Sequence, residues 1–370
     1  MPVSISGTNG ITFPDSSLQT AAASPYVLKN LIINGDMRID QRNAGASVSA
    51  QNVYTVDRWQ ALASVASKYT TQQNAGSVTP PDDFTNYLGA TSTSAYSVGS
   101  GDYFYLLQKV EGLNASHLKW GTASAKTVTL SFKVRSSLTG TFVVAIRSGA
   151  DDAAYPATYT INSANTWETK SITIAGPTSG TFATTNSACF SIWFSLGAGS
   201  GFNATANTWG AGGALSVSGA TSVVGTNGAT FYITGVQLEQ NTSATPFERR
   251  LYNQELAACQ RYLPAWNFTA ANQPSAAGVA YSTTATVMNL IHPVQTRVLP
   301  TGISVTGTFN SYNNAGGNSG NFSSIVLGAS QGTYSSIINC TGGSGLVQGN
   351  ATILLSPSGT SQILLTGCEL

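Results

Sequence analysis

The chain has 370 residues and a formal net charge of +1; apolar residues make up 42% and charged residues only 8%, against a usual ~25% charged. That length can bury a sizeable core and accommodate two or three domains. The near-neutral balance excludes a global field that would gather nucleic acid, an anionic membrane surface or an acidic substrate. Ser, Thr, Asn, Gln, Ala and Gly replace the missing charge, so the composition is that of neither a membrane chain nor a charged disordered one.

Residues 1–28 are Gly-, Ser- and Thr-rich and end in a run of alanines before Ser24-Pro25. They are expected to form an extended attachment segment, poorly folded in isolation. Met1-Pro2-Val3-Ser4 lacks a basic region followed by an apolar stretch, so no secretory signal is expected. No apolar run approaches the ~18 residues that span a bilayer.

From 29 to 245 the pattern is all-β. Val128, Leu130, Phe132 and Val134 alternate with polar residues, which predicts a half-buried strand. Phe142, Val144 and Ile146 repeat the device after a turn at 137–140, as do Phe190, Ile192, Phe194 and Leu196. Trp193 is out of phase with that last set, so it faces a partner chain or pads the second face of its sheet. Short alternating strands between Gly, Asn, Ser and Pro clusters predict a β-sandwich, and periodicity leaves jelly roll and immunoglobulin-like sandwich both open. Cys189, Cys259, Cys340 and Cys368 match no zinc spacing, and buried free thiols are expected at Cys189 and Cys259.

Phe231, Ile233, Val236 and Leu238 then alternate, with Gly235 breaking the period where a bulge fits. Thr245, Pro246 and Glu248 have the spacing of a capping box with proline at the first helical position. Tyr252, Leu256, Cys259 and Leu263 follow at helical spacing, which predicts a linker helix within 246–263. Residues 264–370 form a second β-rich unit, with strands expected at 289–294, 353–355 and 362–365 and a Gly/Asn-rich loop at 310–321. Between Arg261 and Glu369 its one charged residue is Arg297.

Three segments carry a resemblance. They are Asn30-Leu31-Ile32-Ile33-Asn34-Gly35-Asp36-Met37, Tyr54-Thr55-Val56-Asp57-Arg58-Trp59, and the run Gly235-Val236-Gln237-Leu238-Glu239 with Thr245-Pro246-Phe247-Glu248-Arg249-Arg250 and Cys259-Gln260-Arg261-Tyr262. In that order they resemble landmarks of tailed-bacteriophage tail-fibre and receptor-binding proteins. Gly10 to Asp15 is similar to short N-terminal segments of such fibres. The resemblance implies a jelly roll like those of carbohydrate-binding modules, with 30–37 as its opening strand, and a trimeric tip beyond the helix. The expected architecture is therefore all-β: a jelly-roll β-sandwich at 29–245, one short helix, and a second, C-terminal β-sandwich tip domain at 264–370.

Catalytic material is sparse. His117 and His292 sit in no recognisable motif, and no glycine-rich loop opens a helix to cradle phosphate. A glycan depolymerase would need two carboxylates across the scissile bond, and between Ser171 and Leu238 there is no acidic residue. Asp57 and Arg58 are expected to form a structural ion pair beside a core Trp59. Sugar binding fits better: aromatic rings stack on pyranose faces, while amides and hydroxyls suit uncharged polyols. Trp209, in a loop where no core demands an indole, and Tyr103 and Tyr105, at a loop-to-strand passage, are the candidate carbohydrate-binding residues. Their structural alternative is that Trp209 covers the sandwich edge and the tyrosines are strand residues. The resemblance also implies a structural calcium near Asp36 and Glu239, unless those carboxylates pair with Arg38 or Arg42.

The leading expectation is a non-enzymatic phage virion protein of the tail, assembled in the host cytoplasm. It would be a short tail fibre or receptor-binding component recognising a bacterial surface polysaccharide. Its N-terminal segment would meet other tail or baseplate proteins, with no nucleic acid partner and no membrane insertion. The alternatives are a purely structural head or baseplate decoration and a depolymerase. So little charge on so long a chain further predicts burial against copies of itself, with the apolar stretches around Ile291, Leu354 and Leu364 as candidate contacts or intrachain core; that the assembly is a homotrimer is what the resemblance implies.

Overall fold

A computed structural model describes residues 29–313 and 317–370, together with the backbone of three short antiparallel strands, β1 (Ser4–Ser6), β2 (Gly10–Thr12) and β3 (Leu18–Gln19). Most of the expected attachment segment lies outside the described residues.

The first unit is built from β4 (Val48–Ser49), β5 (Val53–Tyr54), β6 (Gln60–Ala63), β7 (Tyr69–Gln73), β8 (Leu88–Ser92), β9 (Tyr103–Glu111), β10 (Val128–Ser136), β11 (Gly140–Ser148), β12 (Ala154–Ile161), β13 (Glu168–Ile174), β14 (Ala188–Ala198) and β15 (Thr230–Glu239). They form two six-stranded sheets, ordered β13-β10-β15-β8-β7-β4 and β12-β11-β14-β9-β6-β5. The chain passes from one sheet to the other between β4 and β5, β6 and β7, β8 and β9, β9 and β10, β10 and β11, and at every step from β12 to β15. That repeated crossing between two antiparallel sheets makes the unit a jelly-roll sandwich. The alternating residues face inward as their period requires: Phe132, Val134, Phe142, Val144, Phe190, Ile192, Phe194, Phe231 and Ile233 are all buried in one core with Trp59.

The bulge at Gly235 is present. The pairing of β10 with β15 slips between Ser131 and Lys133, leaving Gly235 and Val236 opposite Phe132. Gly235 has φ +60, and a Cβ there would lie 2.6 Å from the Phe84 ring. Replacing Gly235 with alanine combines a left-handed backbone penalty with displacement of a packed phenyl ring. The expected loss is about 2 kcal/mol, read as a lower denaturant midpoint; an unchanged midpoint would mean that the bulge relaxes freely.

Two landmarks fold differently from expectation. The segment 30–37 is not a ladder strand but a turn-containing strap held by side chains. Asn30 Nδ2 donates to the Val236 carbonyl (3.2 Å), its Oδ1 accepts from the Leu238 amide (3.1 Å), and the Leu31 amide donates to the Leu238 carbonyl (2.9 Å). Nor do Thr245 and Glu248 cap a helix: the helix spans Tyr252–Gln260, with the Gln254 side chain accepting from the Leu251 amide at 3.2 Å. The Glu248 carboxylate instead accepts the amides of Lys29 (2.6 Å) and Asn30 (2.7 Å). The capping-box residues are spent on securing the strap, whose orphan amides need acceptors as much as a helix start does.

The second unit comprises β16 (Ala265–Asn267), β17 (Gln273–Ala280), β18 (Ala285–Ile291), β19 (Gly302–Thr306), β20 (Asn310–Asn313), β21 (Gly317–Asn318), β22 (Ser324–Gln331), β23 (Ser335–Thr341), β24 (Ala351–Ser356) and β25 (Gln362–Thr366). A three-stranded sheet, β16-β25-β19, faces a seven-stranded one, β21-β20-β24-β17-β18-β23-β22, over a core of Phe268, Met288, Leu290, Phe309, Ile338, Leu354 and Ile363. This is the expected C-terminal β-sandwich. The loop predicted at 310–321 contains a hairpin, β20 with β21, pairing Tyr312 with Asn318. Leu354 and Leu364, considered as subunit contacts, are buried within the chain, whereas Ile291 is exposed.

The units meet along a seam of charges. Arg58, at φ 72, turns away from Asp57 and reaches the side-chain carboxylate of Glu369 at 2.8 Å; Arg42 reaches the same carboxylate at 3.0 Å. The Arg58 guanidinium also lies 3.6 Å from the Tyr262 ring centroid and donates to the Lys109 carbonyl (2.7 Å). The expected Asp57–Arg58 pair is therefore absent; Asp57 accepts instead from the Gln41 amide (2.9 Å) and side chain (2.5 Å). Cys189, Cys259, Cys340 and Cys368 are all free and buried, and His292 is satisfied by the Thr333 carbonyl and the Ser336 hydroxyl.

Candidate functional site

A strand shows alternate side chains to opposite faces, so the residues between the core positions of β6, β9, β11 and β14 share the outer face of the second sheet. Register then assembles them. Gln60 pairs with Leu107, Leu107 with Trp193 and Trp193 with Ala145, giving one row across four strands. In the next row Lys109 pairs with Ser191 and Ser191 with Arg147. Apart from Ala145, these two rows, with Asn52, Leu62 and Asp151, line a cleft of about 390 Å3.

Its chemistry is mixed. Trp193 is nearly buried, donating its indole N–H to Ser191 Oγ at 2.5 Å, with the Arg147 guanidinium 5.5 Å from its ring centroid. Arg147 Nε lies 3.1 Å from Asp151 Oδ1. Asp151 is the one carboxylate lining the cleft. Burial pushes the Lys109 ammonium below its usual pKa, with Asp151 opposing that shift. Aliphatic wall, amide, hydroxyl and cationic donors together can hold a polyhydroxylated ligand.

The residues singled out from sequence fall around this face without forming one site. Tyr103 and Tyr105 lie on it, one strand position after another above Leu107. They stack on each other at 6.4 Å, and Tyr105 meets Trp193 edge-on at 5.2 Å. Tyr105, however, is fully buried beneath Ala214 and Leu215 of the loop after β14, and Tyr103 packs against Phe202 of that loop. Tyr105 therefore shapes the floor and presents no free ring. Trp209 packs at the sandwich edge against Trp120, Tyr155 and Phe182, its indole N–H donating to the Ala175 carbonyl at 2.8 Å; this is the edge-covering arrangement. Lys109, Arg147, Gln60 and Ser191 were missed. Their signal was parity: each lies out of phase with the core residues of its strand, as Trp193 does.

The carboxylates expected near a calcium have partners of their own. Asp36 lies 3.2 Å from Arg38 Nε, while both oxygens of Glu239 accept from Thr245 Oγ1 and one also from the Gln237 side chain. Among the described residues no group of three or more His, Cys, Asp or Glu could hold a metal. Asp36 and Glu239 thus do not make up a calcium cage, because no further carboxylate joins them among the described residues and each already faces a partner of its own.

No protein-family model matches the chain, and no curated protein does. Among solved structures it is similar to a CBM4 domain (15% identity, 56% of this chain and 98% of that one, TM-score 0.29). It is also similar to the family 11 carbohydrate-binding module from Clostridium thermocellum (14% identity, 54% and 98%, TM-score 0.28). A third is the enzymatically active domain of tailspike protein 4 of bacteriophage CBA120 (12% identity, 59% and 22%, TM-score 0.30). The class of this protein follows from its own sheet order: a jelly-roll β-sandwich with a cleft on one outer sheet face, joined to a second β-sandwich. Among the described residues no helix is long and apolar enough to cross a membrane.

Proposed function

We propose that this chain is a non-enzymatic phage virion protein, a short tail fibre or receptor-binding component, that recognises a bacterial surface glycan through the jelly roll. The observation that carries the glycan reading is the cleft, where amide, hydroxyl, cationic and aliphatic groups converge over 390 Å3. The phage reading is supported by the landmark residues, whose side chains work together: Glu248 and Asn30 bind the opening strap to β15. The lone cleft carboxylate favours binding over hydrolysis, since glycosidases ordinarily use two. The test is adsorption: purified protein binds host cells and blocks infection. Failure to do either, with the chain located at the capsid, would favour the decoration reading instead; shortened host polysaccharide would favour a depolymerase.

The working unit is a homotrimer in this reading. The seven-stranded sheet exposes Val279, Ile291, Val326 and Ile353 on its outer side, with Tyr334 at a strand end, and that unit has almost no charge to keep copies apart. Light scattering on the full chain checks it; a monomer at micromolar concentration would overturn it.

A further inference from the structure

The cleft holds more positive charge than its own groups neutralise. Lys109 and Arg147 stand two strands apart in one row, their backbones about 10 Å from each other, with the small Ser191 between them. Both side chains are long enough to converge above it. Asp151 is the one carboxylate there, and Arg147 holds it.

Neither cation is used up. Lys109 is half-buried, yet among the described residues its ammonium makes no hydrogen bond and no ion pair. The Arg147 guanidinium meets Asp151 through Nε at 3.1 Å and Trp193 through its face, and among the described residues its two terminal nitrogens make no hydrogen bond and no ion pair. A cation held partly out of water with no ion pair of its own is costly, and burial lowers the Lys109 pKa although the charge of Asp151, already engaged by Arg147, partly offsets it. In a chain with only 8% charged residues, two such cations flanking a sugar-sized hollow define a chemistry that the overall composition conceals.

We propose that the cleft is selective for an acidic saccharide, whose carboxylate or phosphate sits between Lys109 and Arg147 while the ring lies toward Gln60 and Leu107. The inference rests on the reading of the cleft as a glycan site. An ammonium and a planar guanidinium bracketing one anion give charge-assisted hydrogen bonds from two sides, and the guanidinium can bind it bidentately.

The test uses the full chain on an array in which each acidic oligosaccharide is printed beside its carboxyl-reduced or dephosphorylated counterpart. The acidic members are expected to bind and their neutralised counterparts to lose the signal; which treatment abolishes it separates carboxylate from phosphate. In calorimetric titration of the strongest hit, Lys109→Met and Arg147→Gln should each weaken binding about 10- to 100-fold. Raising salt from about 0.05 to about 0.5 M should weaken the wild type more than Lys109→Met. Equal binding of acidic and neutralised members, or an unaltered Lys109→Met, would overturn acid selectivity, the second showing a lysine that merely reaches solvent. If Gln60→Ala still weakens binding in that case, the glycan reading of the cleft survives. Binding that none of the three variants changes, or no saccharide binding at all, would overturn both.

Discussion

Removing the Glu369 carboxylate, as in Glu369→Ala, is expected to destabilise the protein by about 3 kcal/mol, because it leaves Arg58 buried without its counter-ion. Only 2% of the Arg58 side chain is exposed, against 12% for Glu369, so neither charge is screened by much water. The same carboxylate also serves Arg42, so one substitution unpairs two guanidinium groups. Arg297 provides an internal control: it donates to the backbone carbonyls of Cys368 (2.8 Å) and Glu369, which the substitution leaves in place. The loss therefore reports on the carboxylate and not on detachment of the C-terminus. A fall in the denaturant midpoint, with faster proteolysis near residues 42 and 58, is the expected reading. A midpoint equal to wild type would mean that the Tyr262 ring and the Lys109 carbonyl suffice to hold Arg58.

The same seam makes stability depend on pH through Asp57. Burial raises its carboxyl to a pKa of about 7, opposed by the Gln41 hydrogen bonds and reinforced by Glu369 nearby. In the unfolded chain an aspartate titrates near ~4. Between those values the folded state holds a proton that the unfolded state has released. The stabilising contribution is thus complete below ~4, falls as pH rises through about 7, and changes no further above that. From pH 5 to pH 8 this one group is expected to cost about 2 kcal/mol. Asp57→Asn keeps an acceptor for the Gln41 amide and removes the titration, so its stability profile should be flatter by that amount. Denaturant midpoints at the two pH values decide it; parallel profiles for wild type and variant would mean that Asp57 stays ionised. Because Glu369 helps to raise the Asp57 pKa, the two substitutions should not be additive. A chain cut after Leu263 would lose Glu369 and is expected to unsettle this seam as well.

The seam and the cleft were legible to different degrees. Local alternation was enough for the core: Phe132, Phe142, Phe190, Phe194 and Phe231 are buried where their period placed them, because a strand's two faces are set by backbone geometry alone. The Gly235 bulge was readable for a similar reason, since glycine is the residue that accepts φ > 0 without strain. The landmark residues around Asn30 and Glu248 marked a real junction, but not its mechanism. Thr245, Pro246 and Glu248 satisfy the spacing of a helix cap, and only the folded chain offers Glu248 the strap amides as competing donors.

Everything that depends on distant partners was decided by tertiary structure. Asp57 and Arg58 are adjacent and oppositely charged, yet a left-handed turn at Arg58 sends its side chain to a carboxylate 311 residues away. The sequence around Trp209 left a ligand and the sandwich edge both open, because its neighbours are small; Trp120, Tyr155 and Phe182 arrive from other strands and loops to pack against its ring and leave it half-buried at that edge. Lys109, Ser191 and Arg147 belong to three separate strands, β9, β14 and β11, and carry no common motif. Composition implied a ligand of uncharged hydroxyls, since a net charge averages over the whole chain. Strand register concentrates two of its few cations in one row. Periodicity determines which face a residue joins, because that is a property of its own backbone; which residues share the face with it is settled only when the sheets pair.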